Sequence, residues 1–355
     1  MNLKHARFCF NNFVESGFYS ASSSMSNNPA TNLVSGIRSK TWKAEGLFTI
    51  SSQNNKVYIN STTYTLTAGS YTASTLITHF NSVTSQTLSR NSNGKFIITL
   101  GSSGTVNFSN QTNAVWSTLG FLVSTDATGT VFTADDRRYN NGEWIKTDTQ
   151  IPQSVTFACL IPKNEQIFSL ASAQSIKLQG NNVDIWDSPQ VEVDMEVSSA
   201  GAFACPSDTL DPCRYWRIYI DDKTNSSIEV SVAYIGSSVV TENTNMAIGF
   251  SRKLVDPSQK VYSESGQLYV DRKPRYTMIE SVNVMYLKDD DLEAMENLYY
   301  DLGQGRPFFI VIDPQTEVSR SIDHMTYYVQ VDGDPVFQHV ISGYHNLSFT
   351  LREVI

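Results

Sequence analysis

The stretch NNVDIWDSP (181–189) sets two carboxylates, Asp184 and Asp187, around the indole of Trp186. An exposed indole can stack on a sugar ring while amides and carboxylates bond the sugar hydroxyls. The residues that could share such a glycan or partner site are Trp42, Asn181, Asp184, Trp186 and Arg214, provided they meet at one end of a common scaffold. The same residue types also have a structural reading. A partly buried Trp needs no ligand, so Trp42 and Trp186 could serve a core or an interface instead. Glycoside hydrolysis would require two acids facing one cleft. An acid beside a Trp in a segment bearing Asn and Pro is more often turn chemistry with packing, so no enzymatic activity is expected. Calcium on Asp184, Asp187 and backbone carbonyls is a weaker reading still, because the alternating acids of a typical calcium loop are missing.

Other chemistries find less support. There is no GxSxG elbow, and His5, His79, His324, His339 and His345 sit beside no Ser or Cys motif. A Walker motif and a spaced GxGxxG are both missing, so no cofactor is expected. The four cysteines, Cys9, Cys159, Cys205 and Cys213, form no CxxC pair and have no clustered His, which argues against zinc. Cys205 and Cys213 bracket CPSDTLDPC and could be bridged. The opening MNLKHARFCFNNF, however, lacks the apolar core of a secretion signal, so reduced thiols are the expectation. A net charge of -9 and the lack of any basic run exclude a phosphate-backbone binder. No apolar run is long enough to span a bilayer.

The elements that must position these residues are mostly strands. SVTFACLI (154–161), RIYIDD (217–222), IEVSVAYIG (228–236) and LSFTLREVI (347–355) alternate in the manner of half-buried strands. Within CRYWRIYIDD (213–222), alternation puts Trp216, Ile218 and Ile220 on one face, which must be the core side. Tyr215, Arg217, Tyr219 and Asp221 fall on the other. Arg214 lies at the strand's edge, where it can meet water or a carboxylate. The stretch is therefore expected to be a central strand of a sandwich.

Composition divides the chain into three zones. Residues 51–130 are rich in Ser, Thr and Asn and carry only Lys56, Arg90, Lys95 and Asp126 as charges. Leu76, Ile77, Phe80, Val83 and Leu88 predict a helix there, capped by Ser74 or Thr75 and flanked by strands, in a small α+β insert. Its host, a discontinuous β-sandwich, comprises residues 1–50 and 131–250. Residues 251–355 form the third zone. In it RYTMIESVNVMYL (275–287) predicts a long strand, and DDDLEAMENLYYDLG (289–303) a helix that starts on three acids and stops at Gly303. RPFFIVIDP (306–314), TYYVQV (326–331) and the C-terminal strand complete a small sheet. ESGQLYVDRKPRY (264–276) reads as a linker or first hairpin of this module.

The fragments RYWRIYIDD, IKLQGNNVDIWDSPQ (176–190), IEVSVAYIG and PATNLVSGIRSKTWKAEG (29–46) together resemble the galactose-binding-like (discoidin-type) β-sandwich found in tail proteins of tailed bacteriophages. The insert, from YINSTTYTLTAGSY to WSTLGF, is similar to a small module of viral structural proteins. Residues 275–315 and the terminal LREVI resemble the tail-tube-like split β-barrel, with one flanking helix, of distal tail proteins. That family usually places its barrel first, whereas here the sandwich comes first. The resemblance implies a mainly-β structural protein of a phage tail tip or baseplate, assembled in the bacterial cytoplasm and carried in the virion. It implies a ring of copies, six by the usual symmetry or three, that continues the tail tube and holds receptor-binding proteins or touches host glycans. An adhesin that binds carbohydrate without forming a ring is the alternative.

Overall fold

The computed structural model describes residues 6–92, 94–136, 138, 142–162, 175–198, 200–206, 210–221, 228–240, 251–312 and 325–354. The fold is mainly β, with sandwich-like sheets and few helices. None of the described helices is long and apolar enough to cross a membrane. Asp222, His324 and the segment 241–250 lie outside the described residues.

Alternation in Cys213–Asp221 is realised as expected. Trp216, Ile218 and Ile220 are fully buried, and the strand runs between Ser175–Asn181 and Glu143–Gln153 in a five-stranded sheet. Val191–Asp194 and Phe18–Ala21 complete its two margins. The inner face packs with Ile145, Ile176 and Leu178, and with Ala158, Leu160, Ala233 and Ile235 of the opposing sheet. The Trp216 indole N–H donates to the carbonyls of Gln153 (2.9 Å) and Cys213 (3.0 Å), so its one polar atom is satisfied inside the core. Gly180 is opposite in register. A Cβ at that position would lie 2.8 Å from the Trp216 ring, so the indole occupies the space that glycine leaves.

The opposing sheet is much larger than a sandwich requires. It has eleven strands and runs through residues 196–197, 202–204, 157–161, 232–240, 7–12, 308–311, 326–331, 344–353, 276–287 and 251–255, with 336–341 pairing off this path. Arg7–Asn12 is the joint. It pairs antiparallel with Val232–Val240 on one side and with Phe308–Val311 on the other. Both of its faces are apolar. Phe8 enters the core of the C-terminal module with Ile310, Val329 and Leu351, whereas Cys9 faces Phe157, Tyr234 and Phe309.

This joint corrects the expectation of a tail-tube-like barrel. Closing a barrel requires its first and last strands to pair. Here one margin of the C-terminal strands, Phe308–Val311, is already taken by Arg7–Asn12. The Ser251–Val255 and Val336–Ile341 strands each have one neighbour among the described residues. The module is an open extension of the sandwich's own sheet. Its helix, Asp289–Leu302, buries Met295, Leu298 and Leu302 against that sheet and ends at Gly303 (φ 55). The three acids occupy its first turn, and the cap position is Lys288, which makes no side-chain capping bond.

The insert has a separate core built on Phe48, Leu76, Phe80, Phe96, Phe108 and Trp116. Its helix spans Ala73–Thr84, and the cap is Thr72 rather than Ser74 or Thr75: its extended backbone (φ -70, ψ 164) lets its hydroxyl accept from the Thr75 N–H at 3.3 Å. Phe96–Val106 is a single eleven-residue strand. Cys205 and Cys213 are both free thiols. They belong to different cores, Cys213 inside the sandwich and Cys205 at the edge of the cluster on the far side of the large sheet.

Insert and host meet at Glu143, which is 0% exposed. Its carboxylate accepts from the hydroxyls of Ser22 and Ser23 and from the Leu47 N–H, so it ties the chain entering the insert to the chain leaving it. Burial raises the Glu143 carboxyl above its ordinary value, and the serine and backbone donors only partly offset that. A raised folded-state value contributes stability that is present at low pH and lost as pH rises through that value. The stability of the wild type minus that of Glu143→Gln is therefore expected to fall as pH rises above the ordinary carboxylate range in urea titrations. A difference that stays flat or rises would show that burial does not raise the Glu143 carboxyl in the fold.

Candidate functional site

The outward face of the five-stranded sheet carries a grid of charged and aromatic side chains set by strand register. One row reads Glu192, Gln179, Arg217, Lys146 and Ser20, and the next reads Asp194, Lys177, Tyr219 and Trp144. Arg217 is its centre. The guanidinium lies 4.2 Å from the Trp186 ring centroid and 5.0 Å from that of Tyr219, and its Nε donates to Gln179 Oε1 at 2.7 Å. Gln179 passes the bond on to Glu192 at 2.6 Å, and Lys177 pairs with the same carboxylate. Stacked between rings and half-buried, the guanidinium is desolvated, which brings its pKa down to about 10.

Of the residues singled out from the sequence, three come together in the segment between residues 181 and 191. The Trp186 indole N–H donates to Asp184 at 2.7 Å, and Lys146 pairs with the same carboxylate. Burial opposes ionisation of Asp184, but the bonds from Lys146 and Trp186 and the nearby cations outweigh it and hold the carboxyl below its usual value. Asn181 shapes the segment, its amide donating to the Ile185 carbonyl at 2.7 Å. Asp187 is exposed and makes no hydrogen bond or ion pair among the described residues.

Arg214 sits one row away, in a two-pronged pair with Asp148 (2.8 and 2.9 Å) that lowers the carboxyl's pKa, and it stacks on Tyr215. Trp42 belongs elsewhere. It is fully buried in the sandwich core, with its N–H on the Ser23 carbonyl at 2.8 Å, and cannot meet a ligand. Sequence reasoning passed over Arg217, Lys146, Gln179 and Glu192. Their alternation with the core residues of the same strands was the signal available.

A second surface lies in the C-terminal module. Gln259–Tyr262 and Leu268–Asp271 form a two-stranded hairpin arm whose eight strand residues are all exposed. Cross-strand pairing puts Val261 with Tyr269 on one face, and Tyr262, Leu268 and Val270 with Lys260 on the other. Their exposures are 61% for Val261, 66% for Tyr262, 45% for Leu268, 56% for Tyr269 and 41% for Val270. Apolar exposure recurs at the far end of the long Tyr276–Leu287 strand. There Tyr286 and Tyr344 meet edge to face at 6.5 Å, and Ile341 is the cross-strand partner of Tyr344. A polar cleft of about 470 Å³ separates the start of the chain from the helix end. Its cation, Arg306, is already paired with Glu15.

No known protein family matches the sequence, and no curated protein matches it either. Among solved structures, the chain is similar to a family 32 carbohydrate-binding module from C. perfringens NanJ, solved in complex with galactose. Identity is 7%, the match covers 63% of this chain and 97% of that one, and the TM-score is 0.30. At that score the likeness carries no argument about function.

The two tryptophans on either side of one sheet should differ sharply in cost. Trp216→Ala is expected to lose about 3–5 kcal/mol of stability through the cavity it leaves. Trp186→Ala is expected to lose about 1 kcal/mol, the scale of a partly exposed cation–π contact. Equilibrium urea unfolding of both variants checks this, and equal losses would contradict the division into inner and outer faces.

Proposed function

We propose that the chain is a structural subunit of a bacteriophage tail tip or baseplate, acting through association with copies of itself and with neighbouring tail proteins in the virion. The observation that carries self-association is the hairpin arm. A two-stranded ribbon is at best marginally stable alone in water. A ribbon that faces solvent keeps at least one polar face. This one has apolar residues on both, with Val261 and Tyr269 opposite Tyr262, Leu268 and Val270. Such an arm is supported when it is covered by another surface. The Ser251–Val255 and Val336–Ile341 strands, each with one neighbour among the described residues, offer further backbone donors and acceptors to an incoming strand. The tail-tip assignment adds to this the resemblance of the sequence fragments, and with it a ring of six copies, or three, that continues the tail tube. The work is mechanical, and the net charge of -9 suits a lumen past which DNA slides.

A second reading, carbohydrate contact at the outer face, is favoured by the clustering of Trp186, Tyr219 and Trp144 among amides and carboxylates. It fits either a tail-tip subunit that touches host glycans or a free-standing adhesin. Nearly every charge on that face is already paired, so a sugar would have to bond groups that are partly engaged.

Replacing residues 257–273 by a short Gly–Ser linker tests the first reading. The wild-type chain is expected to sediment as a closed oligomer of 39.6 kDa subunits, and the armless variant as a monomer with an unchanged far-UV spectrum. A wild type that stays monomeric at about 100 µM, where even weak specific contacts are populated, overturns it. For the second reading, a glycan array should give hits that Trp186→Ala removes. Hits that survive the substitution, or a blank array, dismiss the outer face as a sugar site.

A further inference from the structure

The arm's receiving surface can be identified by chemistry, given the self-association proposed above. The segment from the edge strand through the arm, residues 252–275, holds Arg252, Lys253, Lys260, Arg272, Lys273 and Arg275. Four of these are engaged within the same chain: Arg275 with Asp256, Lys273 with Asp271, Lys253 with Glu280 and Arg252 with the Tyr327 hydroxyl. Lys260 and Arg272 are exposed and make no hydrogen bond or ion pair among the described residues. The arm therefore offers apolar side chains with two uncommitted cations, Lys260 in its first strand and Arg272 at its root, and one uncommitted acid, Glu264, at its turn.

The complementary surface lies at the other end of the same sheet. Tyr286, Tyr344 and Ile341 form an exposed apolar patch. It is bordered by the first turns of the Asp289–Leu302 helix, since His345, next to Tyr344, reaches Asp289 at 3.4 Å. Asp290 and Glu293 on that border are exposed and make no hydrogen bond or ion pair among the described residues. The cation next to them, Lys288, leaves the border acidic on balance.

The two surfaces match in apolar character and are opposite in charge, yet they cannot meet within one chain. The arm's root joins the start of the Tyr276–Leu287 strand and the patch surrounds its end. The twelve-residue strand between them, bulged near Ser281 and Tyr286, spans up to about 40 Å. We propose that the 259–271 arm of one copy docks on the Tyr286–Tyr344–Ile341 patch of a second copy, with Lys260 and Arg272 facing Asp290 and Glu293. The contact is head-to-tail, so a docked pair still has one free arm and one free patch, and the series closes into a ring if the rotation between copies allows it.

Charge reversal tests the docking in the full-length chain by sedimentation velocity. Lys260→Glu with Arg272→Glu is expected to weaken association about tenfold or more, and so is Asp290→Lys with Glu293→Lys. Mixing the two reversed chains, or combining all four changes in one chain, should restore the wild-type oligomer. If either reversal leaves the oligomer unchanged, or the combination fails to restore it, this docking is wrong while self-association through the arm still stands. A monomeric wild type overturns both.

Discussion

Arg7–Asn12 is a six-residue strand whose Arg7–Cys9 half is buried and lies between two neighbouring strands, and the architecture depends on it. A strand in that position must be apolar on successive residues rather than alternate ones. Phe8 and Cys9 satisfy this by pointing into different cores. Without the strand, Val232–Val240 and Phe308–Val311 would each present a bare edge, and the sandwich and the C-terminal strands would separate into two sheets. One short segment therefore makes the C-terminal module an extension of the sandwich and leaves the module's other margins open.

The legible parts of the fold were those in which a single periodicity decides the outcome. Trp216, Ile218 and Ile220 on one face and the helix carrying Met295 and Leu298 both follow from local pattern. The joint did not, because RFCFNN has no alternation to read and its partners lie more than two hundred residues away. A closed barrel is not seen among the described residues, and nothing in the sequence of residues 251–355 reveals that a distant strand occupies one margin. Among the candidate site residues, Asn181, Asp184 and Trp186 lie together because they are neighbours in sequence. Trp42 was indistinguishable from them by type, and burial alone sets it apart.

The outer sheet face shows how strongly local pairing consumes charge. Arg214 holds Asp148, Lys146 holds Asp184, Lys177 holds Glu192, and Arg217 is enclosed by rings. Such a face is stiff and nearly neutral, and it resists ionic partners more than it attracts them. The C-terminal module is built the other way. Val261, Tyr262, Leu268, Tyr269 and Val270 of its hairpin face solvent, and Lys260, Arg272, Asp290 and Glu293 make no hydrogen bond or ion pair among the described residues.

The central placement of residues 7–12 also bears on how the molecule is made. During synthesis these residues leave the ribosome long before either flanking strand exists, so the middle of the largest sheet is the last thing to be completed. Pairings of such high sequence separation close slowly, and until then a doubly apolar strand waits without partners.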